Sequence, residues 1–266
     1  MKTNRFSSLL MACFLVVALL VPQAAMAATT IKISGSTTVQ PLAQQWAAAY
    51  HKLHSDVTVI VAGGGSGVGF TDVRDGKVDI GMSSREPNAG WESSLTKTRV
   101  ARDAVCVAVN PKNPVKNLTK AQIKSIFTGQ ITNWKQVGGP NAGIVLCGRT
   151  GASGTYAYFK ETFLGGSRQS ARTKQYASNG MVRSAVARTK YAIGYVSVAY
   201  VNSTVRGVVT DGVAPTEANA AAGRYPYVRP LYFLTNGPAT GASKAFIAWC
   251  ISKAGQNIAA KEYLRR

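Results

Sequence analysis

The chain has 266 residues, 46% of them hydrophobic and 16% charged, with 31 Lys and Arg against 11 Asp and Glu for a net charge of +20. Its length exceeds what a minimal one-core domain needs and suits two lobes, while two histidines and few acids give no evident metal cluster. The charge is uneven: residues 28–110 hold 8 Lys/Arg and 7 Asp/Glu, a net of +1, whereas 111–266 hold 21 and 4, a net of +17. A half so basic suits a steered anionic ligand, an anionic surface or nucleic acid.

In chain order, the first element is a leader. Lys2 and Arg5 precede an apolar run from Leu9 to Val21, and Ala25-Met26-Ala27 forms a small-residue cleavage signal. The run has about 13 residues where a membrane span needs about 20, so residues 1–27 read as a secretory signal peptide, and a periplasmic or extracellular product starting at Ala28 is expected. Cys13 lies inside that apolar run. The remaining Cys106, Cys147 and Cys250 are odd in number, so they cannot all pair within the chain; buried thiols and one disulfide are both open.

Strand candidates follow at "TTIKIS", "VTVIVAG", "VDIGM", "AVCVAV", "GIVLCG", "AIGYVSV" and "PLYFLT", with helical patterns between them. The clearest helix is 39–53, where Val39, Leu42, Ala43, Trp46, Tyr50 and Leu53 recur at helical spacing. His51 and His54, near its end, read as exposed residues and not as metal ligands. The alternation predicts an α/β protein with largely parallel sheets and a ligand at the carboxyl ends of the strands.

Four loops carry hydroxyls or glycines at such ends: Ser36-Thr37-Thr38, Gly65-Ser66, Ser83-Ser84-Arg85, and Arg149 followed by Ser153-Gly154-Thr155. The first N–H groups of a helix lack intrahelical partners and, with the helix dipole, attract anions. Ser and Thr there can cap the helix and also donate to a ligand oxygen. A guanidinium adds a charge-assisted, bidentate bond that suits a tetrahedral oxyanion. One such loop is ordinary capping; four together point to a site.

Enzymatic readings find little support. No Walker sequence is present, "GGGSGVG" lacks the spacing of a dinucleotide fingerprint, and no Gly-x-Ser-x-Gly elbow occurs. A phosphate-monoester hydrolase would need a nucleophile and usually metal ligands. No cofactor is implied.

The segments "SGSTTVQPLAQQW", "GGGSGVGFTDVRDGKVDIGMSSREP", "IFTGQITNWKQVGG", "RTGASGT", "IGYV" and "PTEANAAAGRYPYVRPLYFLTNG" resemble, in order, the periplasmic phosphate-binding proteins of bacterial phosphate ABC transporters. The resemblance implies a two-lobe periplasmic-binding-protein fold of type II, with two hinge strands and closure on the ligand. Lobe I would then comprise 28–107 plus 231–266 and lobe II 108–230, the latter with 16 basic and 3 acidic residues. The resemblance also implies a monomer that binds inorganic phosphate through Ser36, Thr37, Thr38, Gly65, Ser66, Ser84, Arg149, Ser153, Gly154 and Thr155. Such a protein delivers phosphate to a membrane permease, with no catalysis and no specific nucleic acid. Several relatives place an aspartate after the third-loop serine to accept the proton of phosphate, where this chain has Arg85-Glu86. Glu86, Asp103 or a serine hydroxyl are the substitutes open to it, and sulfate or molybdate stays open as the oxyanion. So does a basic exported adhesive that holds anionic polymers.

Overall fold

A computed structural model describes residues 29–266; the expected leader, 1–27, lies outside the described residues. Two strand-to-helix steps and a third strand come first among the described residues: β1 (Thr29–Gly35), α1 (Gln40–Leu53), β2 (Val57–Gly64), α2 (Ser66–Arg74) and β3 (Ile80–Ser83). A 14-residue strand, β4 (Thr96–Val109), then leads to β5 (Asn117–Leu118), α3 (Lys120–Thr128), β6 (Val145–Arg149), α4 (Gly154–Thr162), β7 (Lys174–Tyr176) and α5 (Asn179–Arg188). Next come β8 (Ala192–Ser197), β9 (Arg206–Gly207), β10 (Val209–Thr210), α6 (Glu217–Ala221) and β11 (Val228–Thr235), and α7 (Gly241–Ile251) and α8 (Lys253–Ala259) close the chain.

The main sheet runs β2-β1-β3-β11-β4-β8-β6-β7. Within each end the pairing is parallel, β1 with β2 and β3, and β6 with β7 and β8. The middle departs from the largely parallel expectation: β11 is antiparallel to both β3 and β4, and β4 is antiparallel to β8. The cause is connectivity. β4 pairs with β11 from Thr96 to Ala104 and with β8 from Val105 to Val109, so one long strand leaves the first group of strands and enters the second, and β11 returns beside it.

The two larger of three apolar clusters among the described residues sit on either side of that crossing. One gathers Ile31, Leu42, Trp46, Tyr50, Val100 and Ala101 with Leu231, Phe233 and Phe246; the other runs from Ala104 to Tyr227 and includes Phe127, Trp134, Phe159 and Tyr195. Complete burial of such a side chain stabilises by roughly 1.5–3 kcal/mol. In α1 the expected apolar face is buried at Leu42, Ala43, Trp46 and Tyr50, with Val39 at its entrance, but Leu53 in the last turn is 64% exposed. His51 and His54 are exposed as read from the sequence, His51 Nδ1 lying 2.8 Å from the Val57 carbonyl.

Among the described residues Cys106, Cys147 and Cys250 are free and buried. β8 lies between the strands of Cys106 and Cys147, which puts them two strand spacings apart, about 9–10 Å, beyond the roughly 7 Å that a disulfide spans. Burial raises the thiol pKa of all three.

Candidate functional site

The strand ends converge where the two cores meet. β1 delivers Ser36, Thr37 and Thr38 ahead of α1, β2 delivers Gly65 and Ser66 at the start of α2, and β3 ends at Ser83 beside Ser84. From the other side β6 ends at Arg149, and Ser153 caps α4 by accepting from the Tyr156 N–H. α5 brings a further helix entrance, with Ser178 as cap and Asn179 as first residue.

Arg149 is the centre of this arrangement. It is 1% exposed, and its Nε donates to the Tyr176 carbonyl at 3.1 Å. Nη2 donates to the Ala177 carbonyl at 2.9 Å and, across the junction, to Thr37 Oγ1 at 3.1 Å. All of these partners are neutral. Among the described residues Nη1 is buried and finds no partner. Burial, opposed by Tyr195, draws the guanidinium pKa down to about 10, so it is still cationic at neutral pH. A buried, uncompensated cation is costly unless an anion faces it.

Around it the hydroxyls are held as donors. Asn179 accepts from the Ser197 N–H at Oδ1, which turns its Nδ2 toward Thr37 Oγ1 at 3.3 Å and Thr38 Oγ1 at 3.0 Å. Thr37 Oγ1 also accepts from Arg149, and Thr38 Oγ1 also accepts from Arg229 Nη2 at 2.9 Å. A hydroxyl oxygen has two lone pairs; with both occupied, each proton must be given away. Thr38 and Thr155 face each other at 3.2 Å.

The remaining expected residues close the wall. Ser66 Oγ accepts from the Ser84 N–H at 3.0 Å and lies 3.4 Å from Ser84 Oγ. Gly154 packs so tightly against this pair that a Cβ would fall 2.2 Å from Ser66 Oγ and 2.6 Å from Ser84 Oγ. Gly65, at φ +99°, backs onto the Ala152 carbonyl in the same way. Ser36 and Ser153 are buried, and their side-chain oxygens accept from local backbone N–H groups. All ten expected residues therefore lie at or beside one junction.

The substitutes considered for the proton acceptor separate cleanly. Glu86 points away, bound to Lys97 at 2.5 Å and to the Tyr232 hydroxyl, its side chain 55% exposed. Burial alone would raise its pKa, but those two partners hold it below the usual value. Asp103 is 2% exposed and holds Arg229, with Nε–Oδ2 3.0 Å and Nη2–Oδ2 2.8 Å, while Oδ1 accepts from Ser197 Oγ at 2.6 Å. Burial raises the Asp103 pKa, opposed by Arg229.

Sequence reading missed Asn179 and Arg229. A signal existed for the second: Asp103 in "RDAVCV" and Arg229 in "YVRPLYF" are charged residues inside apolar strand patterns, and buried charges come in pairs. Asn179 follows a strand of only three residues, too short for alternation to register.

Residues 21–254 match the family model of the PBP superfamily domain. The phosphate-binding protein PstS of Bacillus subtilis is 36% identical over 231 residues, 85% of this chain and 77% of that protein. Among solved structures, a phosphate ABC transporter substrate-binding protein from Clostridium perfringens with bound phosphate superposes with a TM-score of 0.84 at 35% identity, covering 90% of this chain and 99% of that one. An ABC-type phosphate transport receptor from Vibrio cholerae gives 0.72 at 32% identity, covering 89% and 100%.

Proposed function

Because the chain belongs to the PBP superfamily and, within it, to the PstS phosphate-binding proteins, we propose that it captures inorganic phosphate between its lobes and hands it to the permease of an ABC transporter. The observation that carries this reading is Arg149, a buried guanidinium with neutral partners whose Nη1 is free among the described residues, beside the Thr37 and Thr38 hydroxyls, whose protons must be donated. Such a wall complements a small tetrahedral anion. Phosphate is the ligand in the Clostridium perfringens protein.

The ten residues named above form the phosphate site in this proposal. In this proposal the lobes are 28–107 plus 231–266 and 108–230; the two larger cores part along β4 and β11, with Ala104–Val107 already packed in the second. The chain acts by binding, as its relatives named as binding proteins do, and not as an enzyme. It works outside the cytoplasmic membrane as a monomer. No helix among the described residues is long and apolar enough to cross a membrane, and the leader motif at residues 1–27 supports export.

Calorimetric titration of the ligand-stripped protein with phosphate and then with sulfate, at moderate salt, tests the proposal. One-site binding of phosphate at micromolar or tighter affinity is expected. Binding of sulfate with phosphate ignored overturns the choice of anion, and binding of neither overturns the function.

A further inference from the structure

A second arginine reaches the junction, from a strand that none of the four expected loops includes. Arg229 lies on β11 and is 1% exposed. Its Nη2 donates to Thr38 Oγ1 at 2.9 Å on one lobe and to Thr155 Oγ1 at 3.1 Å on the other, and its Nη1 donates to the Ser84 carbonyl at 3.2 Å. Three of the four hydroxyl loops thus meet on one guanidinium. Asp103, on β4, fixes it through Oδ2, and those two strands are the ones that pass between the lobes.

We infer that Arg229 is a second guanidinium of the anion site, a positioning residue that acts through the hydroxyls of Thr38 and Thr155 while Asp103 cancels its charge. The inference rests on the phosphate reading above. The division of labour follows from the pairing. Arg149 has neutral partners and supplies the net positive charge; Arg229 is neutralised, so its contribution is orientation. It fills one lone pair on a threonine from each lobe, and on Thr38, which also accepts from Asn179, that leaves the hydroxyl as a donor alone once the lobes have met. A purely structural ion pair has no need to touch three ligand loops.

The pairing also fixes what happens when Arg229 is lost. Arg229→Gln leaves Asp103 as an unpaired buried carboxylate beside an anion site, where it repels the ligand. Loss of the cation pushes the Asp103 pKa further up; the carboxyl is neutral below that value and charged above it. Affinity in this variant should therefore fall, relative to wild type, as pH rises. The other groups around Asp103 do not blur this. Glu217 of α6 is the second charged one, and Tyr158, Tyr200, Tyr263 and Cys106 are all pushed up by burial, away from neutral pH.

The test is phosphate and sulfate titration of the full-length wild type, Arg229→Gln, Arg229→Lys and the double variant Arg229→Gln/Asp103→Asn from pH 6 to 8.5. Melting curves of the free proteins check folding. Expressing each affinity relative to wild type removes the ligand's own ionisation. At pH 8 the glutamine variant should lose about 100-fold and the lysine variant, which keeps charge without the fork, about tenfold. Only the glutamine variant should steepen with pH, and the double variant should recover about tenfold and flatten. If Arg229→Gln binds like wild type, or weakens with the wild-type pH profile and no recovery in the double variant, the inference is overturned. A wild type that binds sulfate and ignores phosphate overturns the phosphate reading instead, and the Arg229 comparison is then decided with sulfate.

Discussion

Gly67, in the first turn of α2, donates its backbone N–H to the carbonyl oxygen of Ala152, just ahead of α4, at 2.9 Å. The two lobes thus meet backbone to backbone, at a place where neighbouring side chains are small or absent. Gly154 shows what that requirement costs. A Cβ there would overlap Ser66 Oγ and Ser84 Oγ, and Ser66 Oγ cannot swing away freely because it accepts from the Ser84 N–H.

Gly154→Ala should therefore leave each lobe folded and damage only their meeting. Overpacking of about 1–3 kcal/mol felt in the closed form alone translates into an affinity loss of roughly 5- to 150-fold. Circular dichroism and the melting temperature without ligand should stay near wild type while calorimetric phosphate affinity drops. An alanine variant that binds as tightly as wild type would show that the contact relaxes at no cost.

Arg149→Ala removes the one buried cation of the site that has only neutral partners. Charge-assisted hydrogen bonds contribute about 1.5–3 kcal/mol each, and a loss of about 2–4 kcal/mol in phosphate binding is expected. Near-native affinity in this variant would place the anion elsewhere.

Much of the site was legible in the sequence because loops that follow strands announce themselves: Gly, Ser and Thr ahead of an apolar helical period are local signals. The segments around Thr37, Ser66, Ser84 and Thr155 were found in this way. What stayed hidden is non-local. That Asn179 serves both threonines, or that Arg229 and Asp103 lie opposite each other on β11 and β4, depends on pairing between residues more than a hundred positions apart. Strand direction was hidden for the same reason: parallel order reads from alternating elements, whereas the antiparallel middle depends on one strand serving two lobes. Arg85-Glu86 remains the departure that leaves the proton of phosphate without the aspartate several relatives carry, and both side chains brace the surface of lobe I.

Arg85 binds Glu92 through both nitrogens, Nη1–Oε2 2.7 Å and Nη2–Oε1 2.8 Å, and the Asn88 N–H adds a bond to Oε2 at 2.7 Å. Burial works to raise the Glu92 pKa, but Arg85 and Asn88 outweigh it and hold it below the ordinary carboxylate value. A depressed native pKa contributes stability that is fully present above the unfolded value and is lost as pH falls through the native one. Glu92→Gln should cost about 2 kcal/mol at neutral pH and should flatten the acid limb of the stability curve below about pH 4.5. Urea melts between pH 3 and 7 measure both, and parallel curves for wild type and variant would assign the acid limb to other carboxylates.

The charge of lobe II carries the last prediction. Its 16 basic and 3 acidic residues are spread well beyond the few that touch the junction, and Lys116, Lys120 and Lys124 are all exposed. Charges of this kind act on a small anion as a field, and salt screens that field over about 8–10 Å. Bonds inside the closed junction are short and desolvated, so salt affects them far less. Raising ionic strength from low to physiological should slow phosphate association appreciably in stopped flow and change dissociation little. Replacing Lys116, Lys120 and Lys124 together with glutamine should slow association in the same direction at low salt and reduce its salt dependence. If association responds to neither change, the basic surface does not steer phosphate. Tight, salt-sensitive binding of DNA or an acidic polysaccharide would then make an anionic polymer the partner that this lobe's charge serves.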